Sequence, residues 1–451
     1  MRRSLVFTRS LTRIVRDKKH RGATLKYGWL EAAIDSAKAL KSVQKCFHRL
    51  SHRKSLAILF IGAIAPGAVL AEPGTVNVGP IKIEPVLSSA FAYDDNIFHA
   101  GKEEVGSTVV TVSPAVTAFV ERGVNRYAAR AEVINETYAQ SSDDNTLDVA
   151  LDVDLHHEFS SKQALDVYAS LDQTHEDRGE GLSRGGFGIA GIDEPLEYDE
   201  SVLGARYTLG NNRTFGRVAL AYDEQDRQYQ NFKETTEFFD RKTQTTSATL
   251  YYNLTAKTAL LLEARQQDVT YDRTKVGVAS LDAQESTGLV GVEWQATAKT
   301  SGYLKWGYFD REFEAASRGD NDGTRWDASI TWAPRSYSTV TVSAAQRSDE
   351  TESLNVEATG DFIERETLSV AWNHELSART QFSIAYTAET GDYAGSTGRD
   401  EDLNRWSASL SRVLDRWITL KASYEHETLD SNSSGLSYDR NQFFIGVDMT
   451  L

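Results

Sequence analysis

The run Thr146 to Phe159 reads TLDVALDVDLHHEF, with Leu147, Val149, Leu151, Val153 and Leu155 on one parity and Asp148, Asp152, Asp154 and His156 on the other. Side chains of a strand alternate with period two, so this run predicts a strand with one apolar and one charged face. From about Ile81 to the end, similar runs of ten to fourteen residues recur about every twenty, and eighteen strands are expected. No stretch of this region shows a helical period.

The connectors alternate in length. Tight links are expected at Arg122-Gly123, Ser160-Ser161-Lys162, Gly210-Asn211-Asn212, Thr255-Ala256-Lys257 and four later sites down to Asp415-Arg416, and longer polar loops, such as 94–106 and 175–197, fall between them. Short turns on one side and long loops on the other predict an all-β fold: a transmembrane antiparallel up-and-down β-barrel of about 18 strands over residues 81–451. About 9–11 tilted residues cross a bilayer, which these runs satisfy. An even strand number places both chain ends on the short-turn, periplasmic side. A propeller would show a blade repeat, and none is visible.

The final stretch, NQFFIGVDMTL, puts Phe443, Ile445, Val447, Met449 and Leu451 on one face and Phe444, Gly446, Asp448 and Thr450 on the other. A barrel leaves no edge unpaired in lipid, so this strand is expected to close against the first, around Lys82 to Tyr93. Gly446, Met449 and Leu451 resemble the C-terminal signal read by the barrel assembly machinery, with Leu at the end instead of Phe and Phe444 where a polar residue is expected. Aromatic girdles are expected from Trp294, Trp332, Trp372 and Trp417 near short turns, and from Tyr138, Tyr222, Tyr271, Trp326, Trp406 and Tyr438 near long loops.

A charge on the lipid face costs ~2–4 kcal/mol at mid-membrane, so charged positions of these strands belong to the lumen. Asp148, Asp152, Asp154, Asp166 and Asp172 form an expected acidic patch, and Arg265, Lys305, Arg311, Arg365 and Lys421 come from later strands. Two readings stand: opposed walls that orient a charged solute, or routine solvation of a wet interior. The glycine-rich loop Arg178 to Glu200 either tucks into the barrel as a constriction or stays on the surface.

Before the barrel, His52, Arg53 and Lys54 precede the apolar Leu56 to Ala65, and small residues lead to Ala71. This three-part order predicts a secretory leader over residues 1–71, cut after Ala71, a short periplasmic segment over 72–80, and residence in the outer membrane of a Gram-negative bacterium. The whole chain carries a net charge of −16, and its first 71 residues are strongly basic, so the remainder is more acidic still. That excludes nucleic acid as a partner. The one cysteine, Cys46, lies in the leader.

Tyr93-Asp94-Asp95-Asn96 and Asp320-Asn321-Asp322-Gly323 offer oxygen ligands, but both read as ordinary turns, and no metal or cofactor is expected. His175 with Asp172 and Asp177 is the best hydrolytic grouping and lacks a nucleophile, so no enzyme is expected.

The stretches Leu281 to Phe313 and Thr324 to Thr351 carry a family resemblance. Its marks are Gly291 and Trp294 followed by Ala-Thr-Ala-Lys-Thr, Gly307-Tyr308, Trp326 and Trp332, Pro334-Arg335-Ser336-Tyr337, Tyr93 to Phe98, and Arg416-Trp417. Over about Ile81 to Leu451 the chain resembles a β-barrel porin family found with exopolysaccharide biosynthesis clusters. The resemblance implies a barrel that assists export of an exopolysaccharide, with outer-membrane lipid, the barrel assembly machinery and periplasmic export components as partners. A general diffusion porin for small polar solutes and a non-conducting surface or adhesion barrel are the alternatives.

Overall fold

The computed structural model describes residues 74–184, 191–297, 299–351, 360–395 and 398–450. The leader lies outside the described residues, as does Leu451. A three-residue strand, β1 (Val76–Val78), precedes eighteen long ones. These are β2 (Ile81–Asp94), β3 (Ser107–Arg122), β4 (Asn125–Tyr138), β5 (Thr146–Ser160), β6 (Gln163–Glu176) and β7 (Leu196–Leu209). Next come β8 (Gly216–Tyr229), β9 (Arg241–Thr255), β10 (Thr258–Tyr271), β11 (Ala283–Thr297), β12 (Thr300–Phe313) and β13 (Asn321–Arg335). The ring is completed by β14 (Ser338–Glu350), β15 (Phe362–Ser377), β16 (Thr380–Ala394), β17 (Asp400–Asp415), β18 (Ile418–Ser431) and β19 (Tyr438–Thr450).

Every long strand pairs antiparallel with its sequence neighbours, and the sheet closes on itself through β19 and β2. The seam runs in register from Gln442 opposite Asp94 to Thr450 opposite Val86. Below it, β1 covers the same edge of β2, with Val76 opposite Ile83 and Val78 opposite Ile81. This first strand was not expected, because three residues are too short for a period-two pattern to register. The short and long connectors alternate around the whole ring, with the link after Leu209 running to six residues, 210–215. Among the described residues no helix is long and apolar enough to cross a membrane, which says nothing about spanning by strands.

Register fixes the two faces. Phe91 lies opposite Ile445 and Val110, Leu262 opposite Leu250 and Val290, and Trp306 opposite Val290 and Trp326. These side chains stand on the outside, and Ile445 is 68% exposed in the bare protein. The burial of this apolar band is therefore supplied by lipid rather than by a protein core.

Small apolar clusters do exist inside. Phe444 faces inward, its ring covering Gly446 where a Cβ would approach within 2.8 Å, and it packs on Ala92, Ile97, Val109 and Tyr138. That accounts for an aromatic residue at a lumen position: ring and glycine are one packing unit at the seam.

The aromatic girdle needs one correction. Tyr222, Trp332, Trp372 and Trp406 are exposed on the outer face and Trp417 is exposed in the turn before β18, but Tyr138, Tyr271 and Tyr438 are buried inside. Their hydroxyls bond Glu136, Glu350 and Glu427. All three share strand parity with inward charges, Tyr438 with Arg440 for example, so parity outweighs their position near the strand end.

Ile445→Arg should destabilise the barrel in lipid vesicles by ~2–4 kcal/mol, whereas lumen-facing Ser407→Arg should cost far less. Reversible denaturant unfolding in vesicles measures both.

Candidate functional site

The long loops on one side of the ring do not simply stand above it. Leu182, in the loop after β6, packs against Leu196, Tyr229 and Phe239 of the β7–β9 sector. Two residues on, Arg184 pairs with Glu401 of β17 at 3.0 Å. β6 and β17 lie seven strand positions apart around an eighteen-strand ring, nearly a diameter. Of the two readings of this loop, the described part thus follows the constriction; residues 185–190 lie outside the described residues.

Its anchoring is polar as well as apolar. Arg178 donates to Asp144 at 2.6 Å and to Ser141 at 3.0 Å, and lies over the Phe98 ring at 4.1 Å. Gly179 has φ +90°, and a Cβ there would come 1.9 Å from the Phe98 carbonyl oxygen, so this close approach requires glycine. Glu180 reaches His99 at 3.3 Å, and His99 also meets Arg440, which donates to Asp94 at 2.9 Å. Loops 95–106, 139–145 and 230–240 and the segment 177–184 are thereby tied into one network.

Asp177 belongs to this network, held by His175 at 3.2 Å. Burial alone would raise its pKa, but the His175 hydrogen bond and the positive charges of His175, Arg440 and His99 outweigh it and hold the carboxyl below the usual range. Asp172 is not part of this grouping. His175 bridges Asp148 (3.3 Å) and Asp177 instead. Asp94 and Asp95 are likewise occupied by Arg440 and Asn441. No group of ligands able to hold a metal occurs among the described residues.

A second buried network lies on the far arc. Arg311, whose side chain has no exposed surface, meets Glu350 at 2.9 Å and Glu285 at 3.7 Å between the rings of Phe313 and Phe362. Arg325 joins Glu285 at 3.1 Å. Arg318 donates to the Ser280 and Ala279 carbonyls at 2.8 and 2.9 Å and pairs with Asp361, linking three more loops.

The remaining expected lumen charges fall on the face opposite the apolar band. Asp152 stands across from Arg130, Asp154 from Tyr168, and Asp166 bonds His156 at 2.6 Å; Asp172 lies opposite Glu200. The later cations do not form a bare basic wall. Arg265 meets Glu263 at 2.6 Å, Lys305 meets Glu263 and Asp327 at 3.1 and 3.3 Å, Arg365 meets Asp349 at 2.6 Å, and Lys421 meets Asp448 at 2.5 Å. Their partners come from the same strand or from strands one or two positions away, so these charges are locally neutralised, and the excess of carboxylates stays with β4–β8.

Within the C-terminal signal, Gly446 lies between Lys421 and Ala90, and Met449 between Ile418 and Leu87.

A closed eighteen-strand antiparallel sheet with an apolar outside, a charged inside and loops folded into one mouth defines an outer-membrane β-barrel of the porin class. Residues 72–451 match the model of the family described as "Putative beta-barrel porin 2", and the chain belongs to that family. No curated protein matches the chain. Among solved structures it is similar to the FrpB iron transporter from Neisseria meningitidis (F5-1 variant), at 12% identity and a TM-score of 0.44 over 77% of this chain. That match spans 63% of the transporter, less than two thirds of its length. It is also similar to OpdK from Pseudomonas aeruginosa (12%, TM-score 0.43, 81% of this chain and 98% of that one). A third is a BenF-like porin from Pseudomonas fluorescens Pf-5 (11%, TM-score 0.43, 83% and 100%).

Arg184→Ala should free the loop from the β17 wall. A hydrogen-bonded charge contributes about 1.5–3 kcal/mol, so cleavage of the loop by chymotrypsin in vesicles should accelerate about tenfold or more. Because the Asp177 pKa is lowered by folding, its contribution is full above the ordinary carboxylate pKa of about 3.9 and is lost as pH falls below it. Loop protection in hydrogen exchange should thus hold from neutrality to about pH 4 and decline further down.

Proposed function

We propose that the protein is an outer-membrane channel for small polar solutes, its extracellular mouth narrowed by folded loops. The observation that carries this reading is the strap from Leu182 on one wall to Arg184–Glu401 on the other, over an otherwise polar lumen. Barrels of sixteen to eighteen strands leave an aqueous channel, and a strap across one end limits the size of what passes. The carboxylate excess on β4–β8 favours cations over anions in transit.

Export of an exopolysaccharide is the second reading. Barrels of sixteen to eighteen strands are wide enough to leave an aqueous channel, which favours it, and it requires the strap to move aside wherever the strap crosses the path of the polymer. A non-conducting surface barrel is the third.

Planar-bilayer recording from the refolded protein separates them. Small, steady, cation-preferring channels that the host's exopolysaccharide does not traverse support the first reading. Passage of the polymer into the opposite chamber moves the assignment to the second, and absence of current moves it to the third. Asp154→Asn with Asp166→Asn should shift the reversal potential in a KCl gradient toward zero; an unchanged potential would overturn the role given to the carboxylates.

A further inference from the structure

The lumen wall opposite the carboxylates has a composition of its own. Ser329, Ser343, Ser369 and Thr387 stand in one registered row across β13–β16. Thr339, Asn373, Ser383, Ser409 and Ser423 form another, nearer the short turns, across β14–β18. Between them the row reads Thr331, Thr341, Ala371, Ala385 and Ser407. All have the inward parity, since the residues between them, such as Val342, Val370 and Trp372, belong to the outer apolar band. No position of the three rows carries a charge.

Two features separate this wall from ordinary lumen solvation. Its side chains are short, so this sector of six strands leaves room in the bore at mid-height, while Asp327, Glu389, Arg405 and Glu425 of the same strands stand at its margins. Its hydroxyls are also largely uncommitted: Ser369 bonds Thr387 at 3.2 Å and Ser383 bonds Asn373 at 2.7 Å, and the other hydroxyls of the rows take no side-chain partner among the described residues. Strand geometry spaces them about 4.8 Å apart across the strands and about 7 Å along them. β14 lies nine strand positions from β5 in the ring of eighteen, so the hydroxyl wall faces Asp152 and Asp154 directly across the bore.

We infer that this wall is a binding track for neutral, polyhydroxylated solutes, that is, sugars and short oligosaccharides. A hydroxyl both donates and accepts, so a lattice of them matches a ligand whose own groups do the same in many orientations. Neutral side chains avoid the large cost of desolvating a charge, and the short, stiff Ser and Thr chains lose little rotamer freedom on binding. A carboxylate solute could accept from these hydroxyls but would be repelled by the carboxylates of the wall facing them. The inference rests on the channel reading for its use, and names the solute class.

The test uses maltohexaose, added on the periplasmic side of single channels in a planar bilayer, where the short turns leave access. Transient current blocks are expected, with residence times at least about tenfold shorter in the Ser343→Ala, Ser369→Ala, Ser409→Ala variant, as three lost hydrogen bonds imply. The same variant should keep the open-channel current, which reports that the barrel is folded. Asp154→Asn with Asp166→Asn should leave the sugar residence time unchanged. Calorimetric titration of the sugar into the detergent-held barrel reads the same affinity loss without needing current. Sugar binding with no current would sink the channel reading and leave the track standing. Equal affinity in the wild type and the triple-alanine variant, or no affinity in either, would overturn the track.

Discussion

The lipid around this chain offers no partner to a backbone N–H or C=O, and each one left bare there costs several kcal/mol. A sheet in that solvent must close, and everything else in the molecule follows from closure. The β19–β2 seam joins residues 348 to 364 apart in sequence, Gln442 with Asp94 and Thr450 with Val86, although such non-local pairing carries the largest loop-closure cost in the fold. Where β19 stops short, β1 takes over the same edge of β2. Closure also inverts the usual arrangement of a protein core: apolar side chains such as Phe91, Leu262 and Ile445 point out, and the inner face is free to carry charge.

That freedom has a cost where the inside is crowded. A buried ion without partners is far more expensive than a paired one, so networks at the mouth are stable only when nearly complete. Arg440 with Asp94, His99 and the Asp177 field, and Arg311 between Glu285 and Glu350, are two such networks, and both lie where loops meet strand ends. Joining three loops through one set of charges, and a fourth through Leu182, makes the strap cooperative: removing Arg178 or Glu180 weakens the contacts of the others. The mouth is therefore held by the same kind of interaction that a change in charge or pH disturbs.

Much of this was legible in the sequence because membrane strands obey a strict parity. The alternation in Thr146–Phe159, the paired connector lengths and the terminal strand yield the strand number, the closure and the faces of Asp152 or Lys305 without further information. What escaped depends on contacts between segments distant in sequence. Tyr138, Tyr271 and Tyr438 read as girdle residues from their position near strand ends, and only the carboxylates of Glu136, Glu350 and Glu427 explain their burial. Parity alone would have moved them inside. The pairing of Arg365 with Asp349 and of Lys421 with Asp448, which removes the basic wall that one of the two readings supposed, depends on strand register, and sequence pattern fixes register only loosely. The loop that bridges to Glu401 could not be placed at all, since no periodicity governs loops.

The hydroxyl rows show how register turns an unremarkable composition into a surface. Ser343, Ser369 and Ser409 are separated by dozens of residues and individually look like any solvated strand position. Antiparallel pairing aligns them because each inward residue faces an inward residue, so a bias toward Ser and Thr on consecutive strands becomes a continuous neutral wall. The same logic gathers Asp152, Asp154 and Asp166 on the other side of the ring. A solute in the bore thus meets a field that is not uniform around its axis: negative and projecting on one side, neutral, short and hydrogen-bonding on the other. Such a lumen discriminates by how a solute distributes charge and hydroxyls over its two faces, with no requirement for a closed pocket, and the strap at the mouth then sets only the size limit.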